Sequence, residues 1–163
     1  MFKRILVPLD GSRFASRSLK YAVEIAQKFN AEIILIQVDK PATAIAASDG
    51  PQPDIQSPAA AKIAIQIALD EDKRNVSKAK RYLSRKVRDI KAKKIACSYH
   101  AYIGNPAESI ILYSRRKKID LIIMTSHGKS GIVRAVMGSV ADEVVRKSGK
   151  PVLVIRPNKK SEK

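Results

Sequence analysis

The 163-residue sequence has one cysteine, Cys97, so an intramolecular disulfide is excluded. A chain without disulfides fits a reducing compartment, because disulfides persist mainly in oxidising ones. The sequence also lacks any apolar run of about 18 residues, which excludes an ordinary transmembrane helix. The N-terminal stretch MFKRILVPLDGS has too short an apolar part, and becomes charged too soon, for a secretory signal peptide. These absences lead us to expect a cytoplasmic protein.

Acidic residues are scarce relative to basic ones. The chain has 15 Asp and Glu against 32 Lys and Arg, which gives a formal net charge of +17. This excess favours solubility and attraction to polyanions, but it carries no information about the fold. Apolar residues make up 45% of the chain, which excludes a disordered protein. At this length the composition predicts one domain with a substantial hydrophobic core.

Short apolar runs alternate with helical patterns along the chain. Apolar residues at helical spacing predict helices that begin near residues 19, 62, 106 and 139. The apolar runs predict five strands, at residues 4–9, 31–38, 95–103, 120–125 and 151–157. This alternation predicts an α/β fold, in which a single domain has a five-stranded parallel sheet with helices on both faces.

The domain is expected to span residues 1–157 and to be followed by a basic C-terminal tail at 158–163. Residues 39–61 are rich in Pro, Ala, Ser and Gly, which indicates a loop or flexible insertion. The long helix after this segment is expected to run from about residue 62 to residue 94. The last helix is expected to open at Ser139 and to close at Gly149.

The helix near residue 106 has a clear start signal. Asn105 can cap the helix, and Pro106 suits the first helical position because its missing N–H would have no partner there. Glu108 follows at the position from which a side chain can reach back to the cap residue. The sequence therefore predicts that this helix begins at Pro106.

Two glycines flank the junction between the fourth strand and the last helix, in IIMTSHGKSGIVRAVMGSVADEVV (122–145). In parallel sheets, ligands bind beyond the carboxyl ends of the strands, where the strand order reverses. The free N–H groups and positive dipole end of the helix at Ser139 favour phosphate. Gly128 and Gly138 let the backbone approach a ligand without a Cβ in the way. The stretch indicates an anion site, although both glycines could serve only loop turns and helix packing.

Two common phosphate-binding motifs are excluded. GKS at residues 128–130 looks like the end of a Walker A motif, but that motif requires a glycine at position 123, where the chain has Ile123. No G-x-G-x-x-G pattern follows the first strand either. An anion site in this chain therefore has to rest on a different glycine pattern.

Three segments resemble the universal stress protein family over essentially the whole chain: ILVPLDGS, GNPAESII, and SHGKSGIVRAVMGSVADEVV followed by KPVLVIRP. Nucleotide-binding members of that family carry G-x2-G-x9-G-[ST]. Gly128, Gly138 and Ser139 fit this pattern, whereas Thr125 stands where the first glycine would be. The branched side chain of Thr125 would either crowd a ligand or donate a hydrogen bond to it. The resemblance implies a sheet with strand order 3-2-1-4-5.

The same resemblance implies a stress-response regulator or binding module whose ligand is ATP, ADP or AMP. By analogy Asp10 contacts the ribose, the backbone of Val38 holds the adenine, and the glycine loop holds the phosphates. Asp10 can also be read as a turn residue before Gly11. The implied nucleotide-binding residues are Pro8, Asp10, Val38, Met124, Thr125, His127, Gly128, Lys129, Gly138, Ser139 and Val140. The resemblance also implies a homodimer through the last strand, residues 151–156, whose apolar edge would otherwise be exposed.

Catalysis is not favoured by the sequence. His127 is more often a structural loop histidine than a catalytic base. Cys97 and His100 have an odd spacing, which points them to opposite faces of a strand and disfavours a metal site. Since any phosphate site can host Mg²⁺ with few protein ligands, slow ATP hydrolysis is the most we expect.

Residues 73–94 form the most basic segment, with eleven Lys and Arg and one acid, Asp89. A solvated helix face explains this charge. The alternative function is a non-nucleotide-binding interaction module that binds nucleic acid or an anionic membrane through this segment. Tyr82 is its only aromatic residue, so binding would rest on phosphate charge rather than on base stacking. We expect reversal of Arg81, Arg85 and Arg88 to leave the nucleotide crevice unaffected, because this helix is a different element.

Overall fold

The computed structural model describes residues 1–43, 57–126 and 137–156. These residues include five strands, namely β1 (Arg4–Pro8), β2 (Glu32–Asp39), β3 (Cys97–Ile103), β4 (Leu121–Thr125) and β5 (Val152–Ile155). They also include the helices α1 (Ser18–Phe29), α2 (Pro58–Lys91), α3 (Pro106–Arg116) and α4 (Ser139–Lys147), and a short 3-10 helix (Ala15–Arg17) precedes α1. In these described ranges no helix is long and apolar enough to cross a membrane.

The strands form one parallel sheet in the order β3-β2-β1-β4-β5, which confirms the predicted fold class and strand order. The chain builds the sheet outward from β1 to β3 and then returns to place β4 on the other side of β1. At this reversal the connections after β1 and β4 leave toward opposite faces of the sheet. A crevice therefore opens beyond the carboxyl ends of these two strands.

The sheet is covered on both faces, as the continuous apolar strands predict. On one face Ile5 and Val7 pack in a cluster with buried residues of α1 and α2, and on the other Leu6 packs with residues of α3 and α4. The helix residues in the first cluster include Ala22, Val23, Ala26, Leu83, Val87 and Ile90, and those in the second include Ile110, Ile111, Ala141 and Val144. The predicted placement of helices on both faces is confirmed.

The start of α3 is as the sequence predicts. Pro106 is the first helical residue, and the side-chain oxygen of Asn105 accepts a hydrogen bond from the N–H of Glu108 at 3.3 Å. The start of α4 differs by one position, because Gly138 is the cap residue and Ser139 is already helical. The backbone explains the shift: Gly138 is extended, and its carbonyl accepts the first intrahelical bond, from the N–H of Asp142.

The predicted bounds of α2 and of the flexible insertion at 39–61 were wrong. Asp39 is the last residue of β2, and α2 begins at Pro58 rather than near residue 62. Ser57 caps the helix by accepting a hydrogen bond from the N–H of Ala60 at 3.1 Å, and proline stands at the first position. A cap residue, a proline and an alanine run are strong start signals, which outweigh the loop-like composition. The centre of the insertion, residues 44–56, lies outside the described residues.

The C-terminal end of α2 lies at Lys91, three residues before the predicted one. The N–H groups of Lys93 and Lys94 bond to the carbonyls of Ile90 and Lys91, and Lys94 has a positive φ of 61°. This tightened turn stops the helix. The strands β1 to β5 also differ by one or two residues from the predicted bounds, because strand ends are set by the pairing with neighbouring strands rather than by the apolar run.

Candidate functional site

A cleft with a volume of about 1150 Å³ opens beyond the carboxyl ends of β1, β2 and β4, at the point where the strand order reverses. Its floor consists of the ends of these strands. Its walls come from the first turn of α4 on one side and from residues 75–85 of α2 on the other. Sites for small molecules commonly measure about 300–1,000 Å³, so the cleft has room for a ligand at least as large as a nucleotide.

The cleft brings together sequence-predicted residues that are up to 132 positions apart in the chain, from Pro8 to Val140. Eight of the eleven line it: Pro8, Asp10, Val38, Met124, Thr125, Gly138, Ser139 and Val140. The other three, His127, Gly128 and Lys129, lie outside the described residues. The residues named from the sequence thus line part of the floor and one wall of the cleft.

The turn after β1 fixes the position of Asp10. One of its carboxylate oxygens accepts a hydrogen bond from the N–H of Ser12 at 2.9 Å, and Ser12 in turn accepts one from the N–H of Ala15 through its hydroxyl. Between them Gly11 has a φ of 83°, which a residue with a Cβ adopts only with strain. Asp10 therefore has the turn role that its sequence suggests, and it also lines the cleft.

The junction between β4 and α4 forms the end of the cleft whose groups are suited to an anion such as phosphate. The carbonyl of Ser126, just after β4, accepts a hydrogen bond from the N–H of Gly138 at 2.8 Å. This bond holds the first turn of α4 against the end of β4. The N–H groups of Ser139 and Val140 belong to that first turn, where an α-helix provides no acceptor of its own. Both residues line the cleft, so the positive end of the α4 dipole is directed at it.

Thr125 stands where the family pattern has its first glycine. It is the last residue of β4 and pairs with Ile155 of β5. The residue is 7% exposed, so most of its side chain is removed from solvent although it lines the cleft. A β-branched residue suits an extended backbone, and the described geometry here places no demand on the backbone that only glycine would meet.

Sequence reasoning missed a polar pair at the end of β2. The Gln37 side-chain amide donates to a carboxylate oxygen of Asp39 at 2.8 Å, and both residues line the cleft. Gln37 is 6% exposed, and its Oε1 is buried without a hydrogen-bond partner among the described residues. A buried amide oxygen without a hydrogen-bond partner costs about 1–3 kcal/mol, so this oxygen does not stabilise the fold. The sequence did contain a signal for this pair, namely the glutamine near the end of the largely apolar run AEIILIQV.

The α2 side of the cleft overturns one expectation. Arg81 and Arg85 line the cleft, so reversing their charge would change it, contrary to the sequence-based expectation. The reason lies in packing, because Leu83 and Val87 anchor α2 on the sheet and thereby direct neighbouring helix positions to the cleft mouth. Tyr82 fixes this wall further through a 2.8 Å hydrogen bond between its hydroxyl and that of Ser16.

The remaining candidate residues for chemistry lie away from the cleft. Cys97 packs in the first core cluster, whereas the His100 ring lies 5.2 Å from the ring of Tyr113 on α3, so the two side chains point to opposite faces. Burial raises the pKa of the Cys97 thiol to about 12, which keeps it protonated and unreactive. Burial, and then the charge of Lys117, lower the pKa of His100. In the described part of the chain no group of three His, Cys, Asp or Glu could hold a metal ion.

Solved structures with the same fold include nucleotide complexes. The structure of MJ0577 covers 98% of this chain and 99% of its own at a TM-score of 0.81 with 24% identity. A universal stress protein from Archaeoglobus fulgidus, solved in complex with dAMP, has a TM-score of 0.62 at 21% identity and covers 94% of this chain and 98% of its own. Another universal stress protein, solved in complex with cAMP, has a TM-score of 0.56 at 22% identity and covers 95% and 97%. At these identities the likeness concerns the fold.

Sequence comparison extends over the same length. Universal stress protein MJ0531 of Methanocaldococcus jannaschii is 28% identical over 162 residues, which cover 98% of this chain and 85% of the relative. Universal stress protein MJ0577 of the same organism is 29% identical over 161 residues, or 96% of each chain. The model of the universal stress protein family matches residues 1–156. The chain is therefore a member of the universal stress protein family.

Proposed function

We propose that this protein binds an adenine nucleotide in the cleft, with ATP as the first candidate, and that it acts as a stress-response regulator or binding module. The observation that carries the proposal is the hydrogen bond from Gly138 N–H to the carbonyl of Ser126, which holds the first turn of α4 at the end of β4. Free N–H groups at a helix start are suited to phosphate. The complexes of fold relatives with dAMP and cAMP support an adenine nucleotide as the ligand class.

The proposed orientation follows from the chemistry of the walls. The phosphates lie against the N–H groups of Ser139 and Val140 in the first turn of α4. The ribose lies near Asp10, whose carboxylate can accept from a sugar hydroxyl. The adenine lies against Val38 and Met124, which supply apolar surface at the ends of β2 and β4.

Magnesium would enter the site with the polyphosphate rather than on a protein cage. Mg²⁺ is usually held by one or two carboxylates plus substrate phosphates, and Asp10 and Asp39 are the carboxylates that line the cleft. These residues fit such an ion. Binding with slow or no turnover is the proposed activity.

Substitution of Gly138 tests the proposal. Gly138 has φ −63° and ψ 150°, an extended conformation that valine also adopts, so Gly138→Val should fold. Its branched side chain would occupy the space that a phosphate needs, and we expect ATP affinity to fall at least about 100-fold, the loss of roughly two charge-assisted hydrogen bonds. Gly138→Ala should have a smaller effect. Calorimetry with ATP, ADP and AMP measures the affinities, and thermal unfolding checks the fold. Unchanged affinity in folded Gly138→Val would refute the assignment.

We also propose that the protein is a homodimer through β5. The strand lies at the edge of the sheet, and its residues Val152 to Ile155 are apolar and only partly buried. An exposed apolar edge strand promotes association unless it is paired or covered. Val154→Lys should shift the protein toward the monomer. Sedimentation at micromolar concentration measures this, and a monomeric parent protein would remove the proposal.

A further inference from the structure

Three basic side chains of α2 line one wall of the cleft. Lys78, Arg81 and Arg85 are three and four positions apart, which places them on one side of the helix. With a rise of about 1.5 Å per residue they span roughly 10 Å along the helix axis. We call these three residues the α2 wall. Its length exceeds what a single phosphate group can contact.

The α2 wall has no counter-charge of its own in the described part of the chain. The ion pairs formed there join Lys73 to Asp70, Arg146 to Asp142 and Lys147 to Glu143, and none includes a residue of the α2 wall. The carboxylates that line the cleft are Asp10 and Asp39, whereas the wall and Lys40 supply four cations. The described residues of the lining therefore carry an excess of positive charge.

The α2 wall and the α4 helix start lie on opposite sides of the cleft. Leu83 of α2 packs on the sheet face that contains Ile5 and Val7, whereas Val144 of α4 packs on the face that contains Leu6. The ends of β1 and β4 separate the two positive regions. A phosphate held by the N–H groups of α4 therefore leaves the α2 wall available to a second anionic group.

We propose that the α2 wall is a second anion subsite and that the cleft takes a nucleotide with phosphates at two separate positions. The inference rests on the proposed nucleotide site, and within the adenine nucleotides it favours one with phosphates at two positions over ATP. Adenosine 3′,5′-bisphosphate is the simplest probe, because it carries one phosphate on each side of the ribose. ATP has a similar total negative charge, but all of its phosphates are attached at one position of the ribose. Comparing ATP with the bisphosphate therefore distinguishes the effect of where the charge lies from the effect of how much charge there is.

Calorimetry at fixed ionic strength with AMP, ATP and adenosine 3′,5′-bisphosphate tests the proposal. The parent protein should bind the bisphosphate at least about 10-fold more tightly than AMP, which corresponds to one further charge-assisted hydrogen bond. Replacing two of the three wall residues in Arg81→Ala–Arg85→Ala should erase most of that advantage, because the affinity for the bisphosphate should fall by a clearly larger factor than the affinity for AMP. The matched control is Lys80→Ala–Arg88→Ala, which removes two charges from the same helix at positions that do not line the cleft. The control should keep the advantage.

Any other outcome of the nucleotide titrations decides against the subsite. A bisphosphate affinity equal to that for AMP overturns it, and so does an advantage that survives in Arg81→Ala–Arg85→Ala. Equal losses in both double variants show a general charge effect and also overturn it. If the parent binds no nucleotide, the proposed function fails, and inorganic tripolyphosphate then tests the wall alone. Tripolyphosphate binding that is lost in Arg81→Ala–Arg85→Ala but kept in the control variant supports the subsite, whereas absence of tripolyphosphate binding to the parent protein overturns it.

Discussion

The two parts of α2 differ in sequence and in what they contact. The first part, Pro58–Leu69, has one charged residue, and its large apolar side chains are exposed: Ile63 63%, Ile65 55%, Ile67 58% and Leu69 49%. The second part, Asp70–Lys91, has nine basic and four acidic residues, yet it contains every buried residue of the helix. Apolar content alone therefore does not decide burial in this helix.

Position relative to the sheet explains the difference. The 34 residues of α2 extend about 51 Å, which is longer than the strands they accompany. Only the second part lies over the sheet, where an apolar stripe at helical spacing packs on the first core cluster: Ala79, Leu83, Val87 and Ile90. The same packing places the basic residues on either side of the stripe, and some of them line the cleft. The second part thus supplies both core and ligand-facing wall.

The largest expected effect comes from making the same substitution in each of the two parts of α2. Ile90 is 4% exposed and Ile63 is 63% exposed, so Ile90→Ala and Ile63→Ala remove the same atoms from opposite environments. Ile90→Ala should lower the free energy of unfolding by about 2–5 kcal/mol, because it leaves a cavity in the core. Ile63→Ala should change it by less than about 0.5 kcal/mol. Urea unfolding of both variants measures the difference. Comparable losses would show that a partner covers the first part.

A smaller effect is expected from the helix caps. Ser57 caps the exposed start of α2, and Asn105 caps α3, which packs on the sheet. Asn105→Ala should lower the free energy of unfolding by about 1 kcal/mol, a typical value for loss of a cap. Ser57→Ala should fray the first part of α2 with a global change below about 0.5 kcal/mol, because that part is not anchored. Urea unfolding with circular dichroism separates the two. If Ser57→Ala lowered the free energy of unfolding as much as Asn105→Ala does, the first part of α2 would be anchored after all.

The fold was predictable from the sequence because its signals are local. Apolar β-branched runs identify strands, and the Asn105–Pro106 pair identifies a helix start. The strand order came from family resemblance, since periodicity does not show which strands are neighbours. The start of α2 was mistaken because Ser57 and Pro58 follow a segment whose composition resembles a loop. The loop-like average composition of that segment outweighed the helix-start signals at Ser57 and Pro58.

The candidate site was predictable where it follows the strand ends and where the glycine pattern marks the start of α4. Asp10, Val38 and Thr125 stand at strand ends, and the ends of parallel strands meet at one edge of the sheet. Arg81 and Arg85 were missed because no local pattern tells which side of a long helix lies over a crevice. That relation depends on how Leu83 and Val87 pack on the sheet, which is a tertiary property.

The most direct test of the account is a titration of ¹⁵N-labelled protein with AMP, followed by backbone amide chemical shifts. We predict saturable shifts at the cleft, above all at Ser139 and Val140 of α4 and at Gly11 after β1, whose amides flank the proposed phosphate and ribose positions. The first part of α2, Pro58–Leu69, should show none, because it lies outside the cleft lining. Saturable shifts that avoid Ser139 and Val140, or no shifts at millimolar AMP, would contradict the account.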